Sequence, residues 1–376
     1  MQLVAHPRPV FVWKPSGRSA GLCVSHAHGP TWLGCRGSPT GYTVLLTLPD
    51  SSGPGPILSC CGGDASSGQI NDLSLAPLDG HTSLIVRLLQ RGVMGTAEAN
   101  GAVLFYEVRG EGPPVVFVSG ATGDGGFHER TAEALASVVS NVSIVTYDRR
   151  GNSRSPRPDG WSTTSMEEQG ADLAALIDAL GRGPAVAVGS SMGCLVALAC
   201  ALTRPTALRG VILHEPPVAD DSSRAADLAD RIYAVVSDGM RQGGPPVAME
   251  QFLRKVAIGD ALYEKMPLDL RSRVLGNGEV AFAIEGPAIT AFRPDCEQLE
   301  SISVPAEVLV GADSADPQSP THMVFDAGRW LADLWGVQVR TAPGGHAPSL
   351  SHPREFADTI ATALVDLDRR QTEDSA

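Results

Sequence analysis

From Ala102 onward, short apolar runs alternate with longer stretches in which apolar residues return every three or four positions. Strands buried on both faces read as unbroken apolar runs, so this rhythm predicts an α/β fold: a mostly parallel sheet covered by helices on both sides. The predicted strands are Ala102 to Arg109, Val115 to Ser119, Val142 to Tyr147, Ala185 to Gly189, Val211 to His214, Ala306 to Gly311 and Val337 to Thr341. The clearest helix starts with Ser165 three residues ahead of Glu168, as in a capping box. It carries Leu173, Leu176, Ile177 and Leu180 at helical spacing and stops at Gly181. Between Val218 and Phe292 the strand rhythm gives way to helical patterns broken by Gly243-Gly244-Pro245-Pro246, Pro267 and Gly276 to Gly278, which predicts a helical cap inserted in the sheet domain. Its Tyr233, Met240, Met249, Phe252, Tyr263, Met266 and Phe282 are expected to pack together or line an apolar pocket.

Residues 1–93 are different. Four of the seven cysteines fall there, Pro, Gly and Ser are dense, no Glu precedes Glu98, and neither period persists. Two readings fit: a disordered or loosely attached extension, or translation that begins at Met94, because Gly95 to Arg109 reads as the first strand region of the sheet domain. The expected organisation is an extension over 1–93, a first core part over 94–217, the cap over 218–292 and a second core part over 293–376.

A net charge of -13 repels phosphate backbones and anionic lipid surfaces, so neither nucleic acid nor membrane is an expected partner. The seven cysteines lack the paired spacing of a zinc site, and no metal or other cofactor is expected. Without a signal-like start or an apolar run of about 18 residues, the chain reads as soluble and cytoplasmic.

The chemistry concentrates in Gly189-Ser190-Ser191-Met192-Gly193. The string alone can be a plain glycine turn, but here it stands between a predicted strand and a small-residue helix, the context a nucleophile elbow requires. A serine hydroxyl needs a base within reach. His346, in Pro343-Gly344-Gly345-His346 after the last strand, is expected at the carboxyl edge of the sheet beside the elbow. His352 is read as the start of the last helix, and His128 and His322 as surface residues of helices. Three carboxylates compete to orient the base: Asp313 and Asp316 after the strand that follows the cap, and Glu215 after Val211 to His214, stiffened by Pro216-Pro217. Two backbone N–H groups must hold a developing oxyanion. Met192 supplies one, and Ala121, in Ser119-Gly120-Ala121-Thr122-Gly123, is chosen for the other. That loop lacks the Lys and Ser/Thr of a phosphate-binding P-loop. The polar run Asp148 to Ser155 is read as structural, with Asp148 and Ser153 tying a long turn to its own backbone.

With these motifs in hand, the chain from Ala102 to its end resembles the α/β-hydrolase superfamily, cap position included. It is most similar to the fungal zearalenone lactone hydrolases. Leu213-His214-Glu215-Pro216-Pro217 looks like that family's Cys-His-Glu-Leu-Pro, and Pro343 to Pro353 looks like its histidine segment. The resemblance implies Glu215 as the acid. Departures are Met192 for the family's Ser, Ser349 where an aromatic is usual, and the presence of Asp316. The expected activity is hydrolysis of a small apolar carboxylic ester or lactone. Perhydrolysis, carbon–carbon hydrolysis or acyl transfer by the same residues is an alternative, as is a non-catalytic small-molecule receptor.

Overall fold

The computed structural model describes residues 93–218 and 223–374, the side chains of 93–218 and 228–371 among them, and the backbone of six short strands before residue 93. The chain divides into two compact units, Met1–Leu89 and Gln90–Ala376. In the first, Phe11–Ser16, Ser19–His26, Gly29–Ser38 and Gly41–Val44 form an antiparallel meander, and Ser59–Cys60 pairs with Leu73–Ser74. The readings of disorder or of a later start for 1–93 otherwise lie outside the described residues.

The second unit is built on eight strands: β1 (Val93–Ala99), β2 (Ala102–Arg109), β3 (Pro114–Val118), β4 (Ser143–Tyr147), β5 (Ala185–Ser190), β6 (Leu208–His214), β7 (Ala306–Gly311) and β8 (Val339–Ala342). They lie in the order β8-β7-β6-β5-β3-β4-β2-β1. Pairings from β4 through β8 are parallel, and only β1–β2 and β2–β4 are antiparallel. Every predicted strand is present, with ends moved by three residues or fewer. β1 is an addition. It hairpins onto β2 through Asn100-Gly101, both at positive φ (49° and 75°), the conformation a tight two-residue hairpin turn demands.

Central strands β3 and β4 are buried at every position. One face carries helices α2 (Met166–Leu180) and α3 (Met192–Thr203), whose Leu173, Leu176, Leu195 and Leu198 pack with Val116 and Val118 of β3. The other carries α1 (Glu129–Val138) and the last helix, Pro353–Asp374, through Leu135, Phe356, Ile360 and Leu364 against Val115, Phe117, Val186 and Val188. α2 keeps its expected ends: the Ser165 side chain accepts from Glu168 N at 3.1 Å, and Gly181 caps it in the left-handed region.

Between β6 and β7 the described residues are helical, as expected of the insertion. It has its own small core of Met249, Leu253, Tyr263, Met266, Leu270, Val274 and Ala281. Tyr233, expected to pack, is instead 74% exposed. Two stretches, Leu253–Ala257 and Val280–Glu285, are π-helical, a rare wide-turn geometry that is frequent at functional sites. Among the described residues no helix is long and apolar enough to cross a membrane.

Candidate active site

Ser191 stands between β5 and α3 with φ 53° and ψ -127°, a left-handed conformation that costs energy for a residue with a side chain and is held only by its surroundings. Its N–H donates to His214 O at 3.0 Å and its carbonyl accepts from Cys194 N at 2.8 Å. The flanking glycines are obligatory on steric grounds. A Cβ on Gly193 would fall 2.0 Å from Val118 O, and one on Gly189 would fall 2.7 Å from the Cys194 Cα. Cys194 is close in sequence but no rival nucleophile, because burial pushes its thiol pKa well up.

β6 ends one residue before Glu215, whose N–H still bonds to Leu309 O (2.9 Å) while its φ of 50° turns the side chain out of the ladder. The carboxylate is fully buried. Oε1 accepts from Gly311 N at 2.9 Å, and Oε2 lies 2.5 Å from His346 Nδ1. Burial alone would raise the Glu215 pKa. The hydrogen bond and charge of His346, with contributions from His214 and the Ser314 hydroxyl, overcome it and hold the carboxyl at about 2. Gly311 makes this approach possible, since a Cβ there would lie 2.8 Å from Glu215 Oε1 and 2.8 Å from Gly345 O. Nothing in the sequence marked Gly311 beyond its place at a strand end.

Neither competing acid is hydrogen-bonded to His346, although Asp313 lines the larger cavity beside it. Asp316 is exposed and its Oδ1 accepts from Gln318 N within its own turn, at 2.8 Å. Asp313 is also exposed, and its backbone N–H bonds to Gly344 O. His352 precedes the last helix and its carbonyl accepts the first helical bond, from Phe356 N. His128 corrects the reading of a surface residue: it is 2% exposed, packed against Phe117 and Phe127, because the turn that leads into α1 faces inward. His322 is half-buried, with Nδ1 2.9 Å from Ser314 O.

Ser191 and His346 line one cavity of about 40 Å³ with Gly120, Ala121, His128, Phe252, Leu253 and Ile258. It adjoins a larger one of about 380 Å³ that shares Ala257, Ile258, His346 and Ala347. The loop after β3 closes over the serine: a Cβ on Gly120 would be 3.1 Å from the Ser191 Cβ. Gly120 O accepts from Gly123 N (3.0 Å) and from Arg149 Nη2 (2.9 Å). In a trans peptide C=O and N–H point in opposite directions, so the Ala121 N–H is turned away from Arg149. Met192 begins α3, and the first N–H groups of a helix have no partner within it. Among the described residues no group of three or more His, Cys, Asp or Glu side chains is placed to hold a metal ion.

The run after β4 is structural in part. Asp148 accepts from Gly125 N (2.8 Å) and Arg154 N (2.9 Å), as expected of a turn anchor. Ser153 departs from its expected role: its hydroxyl and N–H bond to Asn277 of the insertion rather than to its own turn, and Ser155 Oγ ties back to Asp148 O.

The profile of the alpha/beta hydrolase family matches residues 115–359. An uncharacterized hydrolase of Bacillus subtilis is 25% identical over 283 residues, 72% of this chain and 95% of that protein. A zearalenone hydrolase of Bionectria ochroleuca is 27% identical over 267 residues, 69% of this chain and 93% of that protein. Among solved structures, a thermophilic esterase from Thermogutta terrifontis superposes with a TM-score of 0.59 at 24% identity, covering 73% of this chain and 99% of that one.

Proposed function

The chain belongs to the alpha/beta hydrolase family, and from that premise we propose that it is a serine hydrolase cleaving a small apolar carboxylic ester or lactone through an acyl-enzyme. Ser191 Oγ attacks the carbonyl carbon and its proton passes to His346, while Glu215 fixes the imidazole and stabilises it once charged. The N–H groups of Ala121 and Met192 hold the oxyanion. Collapse breaks the bond to the alcohol oxygen, which takes the proton from His346. Water, activated by the same imidazole, then attacks the acyl-enzyme and frees the acid and Ser191.

The observation that carries this reading is the pair of buried Glu215 and half-buried His346, Oε2 to Nδ1 at 2.5 Å, on an imidazole that lines the Ser191 cavity. The apolar walls, Phe127, Phe252, Leu253 and Ile258, suit an apolar acyl chain, and a relative of similar sequence is named a zearalenone hydrolase. Free thiols at Cys194, Cys200 and Cys296 support a reducing, cytoplasmic setting.

Ser191→Ala is expected to abolish hydrolysis of 4-nitrophenyl acetate, and full retention of the rate would overturn the assignment. Glu215→Gln should lower kcat by roughly 10³-fold or more with the fold intact, whereas Asp316→Asn leaves it unchanged. The reverse pattern would transfer the acid's role to Asp316.

A further inference from the structure

Arg149 is 1% exposed, yet every N–H of its guanidinium has an acceptor. Nε donates to Ser119 O (3.1 Å) and Nη2 to Gly120 O (2.9 Å), both in the loop over Ser191. Nη1 donates to Gln169 Oε1 (2.5 Å). The guanidinium grips Glu285 in a bidentate pair, Nη1 on Oε1 and Nη2 on Oε2, the latter at 2.9 Å. It also lies 3.7 Å from the sulfur of Met192. Glu285 is fully buried and comes from the helical insertion, and Asn152 and Gln169 of the sheet domain add hydrogen bonds to its Oε1.

One cation thus touches both segments from which the oxyanion donors are drawn. Resting on the Ser191 reading above, we propose that Arg149 is a positioning residue for the oxyanion hole, and that Glu285 makes the insertion responsible for holding it in place. Fixing the Gly120 carbonyl fixes the peptide plane that carries the Ala121 N–H, and a tilt of that plane weakens the donor where charge develops. Two further contacts follow the same plan. Asn277 donates to Thr122 O at 2.7 Å, and Arg273 donates to Asp124 at 2.6 Å. The loop bearing Ala121 is therefore gripped from the insertion directly at Thr122 and Asp124, and through Arg149 at Ser119 and Gly120. Glu285 stands at the end nearest Ser191.

A buried ion pair also has a structural role, and the two roles separate because well-packed apolar residues of similar size often replace such a pair without loss of stability, whereas removing one partner leaves a buried charge. The test compares wild type with the double variant Arg149→Met and Glu285→Met. It reads thermal midpoint, kcat and KM for 4-nitrophenyl acetate, and the rate of covalent inactivation by a fluorophosphonate, which reports oxyanion stabilisation at Ser191. The expected result is a midpoint near that of wild type, kcat and inactivation rate each down by about 100-fold, the scale of one lost oxyanion donor, and KM within about threefold. A folded Met pair with wild-type kcat overturns the proposal. Should the Met pair not fold, Glu285→Gln, which keeps a neutral acceptor for Arg149, decides on the same readings: a fall in kcat of about tenfold or more is expected, and none overturns it. Wild-type protein lacking Ser191-dependent turnover would sink the serine hydrolase reading itself, an outcome visible before any variant of the pair is made.

Discussion

Two imidazoles are buried with ring nitrogens that have no protein partner: Nε2 of His128 and both nitrogens of His214. Burial, first among the causes, lowers His128 to about 3 and His214 to about 4. Both therefore fold neutral, while in the unfolded chain they take up protons below about pH 6.5. The unfolded state then binds more protons than the folded one, so stability falls as pH drops from about 6.5 toward 4, by about 2 kcal/mol for each histidine at pH 5. Glu215, depressed to about 2, acts in the same direction, its contribution being lost as pH falls from about 4.5. Denaturant titrations at pH 7 and pH 5 should show this fall, and His214→Gln should reduce it; a pH-independent midpoint would count against two neutral buried rings. At this scale the sequence was informative where function imposes local geometry. The placement of Ser191 and Met192 between a strand and a helix, and of His346 after the last strand, is as expected from the sequence. Glu215 needed the family resemblance, because three carboxylates follow strands and only the folded chain shows whose oxygen meets Nδ1. Arg149 was hidden, since its partner Glu285 is 136 positions away. His128 was misjudged because periodicity does not show which way a single turn faces.

The elements divide by how much apolar surface each strand or helix covers. β3 and β4, buried throughout, announced themselves as apolar runs, and their ends came within a residue. β1 was not read as a separate strand because an edge strand needs no such run: Val93 and Met94 are 75% and 64% exposed. It lies largely within the strand region read over Gly95 to Arg109, and Asn100-Gly101 marks the turn that divides it. α3, with ten of its twelve residues buried, is apolar on all sides because it lies between the sheet and α2. The insertion was legible as helical but not as π-helical, since wide turns arise from packing rather than from an intrinsic preference. Its separate core makes a prediction. Leu270, 4% exposed among Met249, Leu253 and Val274, should cost about 2–5 kcal/mol when changed to Ala. Thermal denaturation checks it, and a loss under about 1 kcal/mol would mean that this cluster does not support the element.

For the whole molecule, the hydrolase core is one compact unit from Gln90 to Ala376. A chain beginning at Gln90 is expected to fold and to keep ester turnover at a rate near that of the full chain. Insoluble or inactive protein would show that residues 1–89 contribute to the core's folding. The net charge of -13 repels polyanions in general and selects no substrate. The small size of the space around Ser191 has a consequence for product fate. About 40 Å³ holds a few water molecules, and Phe252, Leu253 and Ile258 form part of its wall. In the proposed reaction the adjoining cavity of about 380 Å³, which His346 also lines, is the roomier space from which water arrives and into which the alcohol departs.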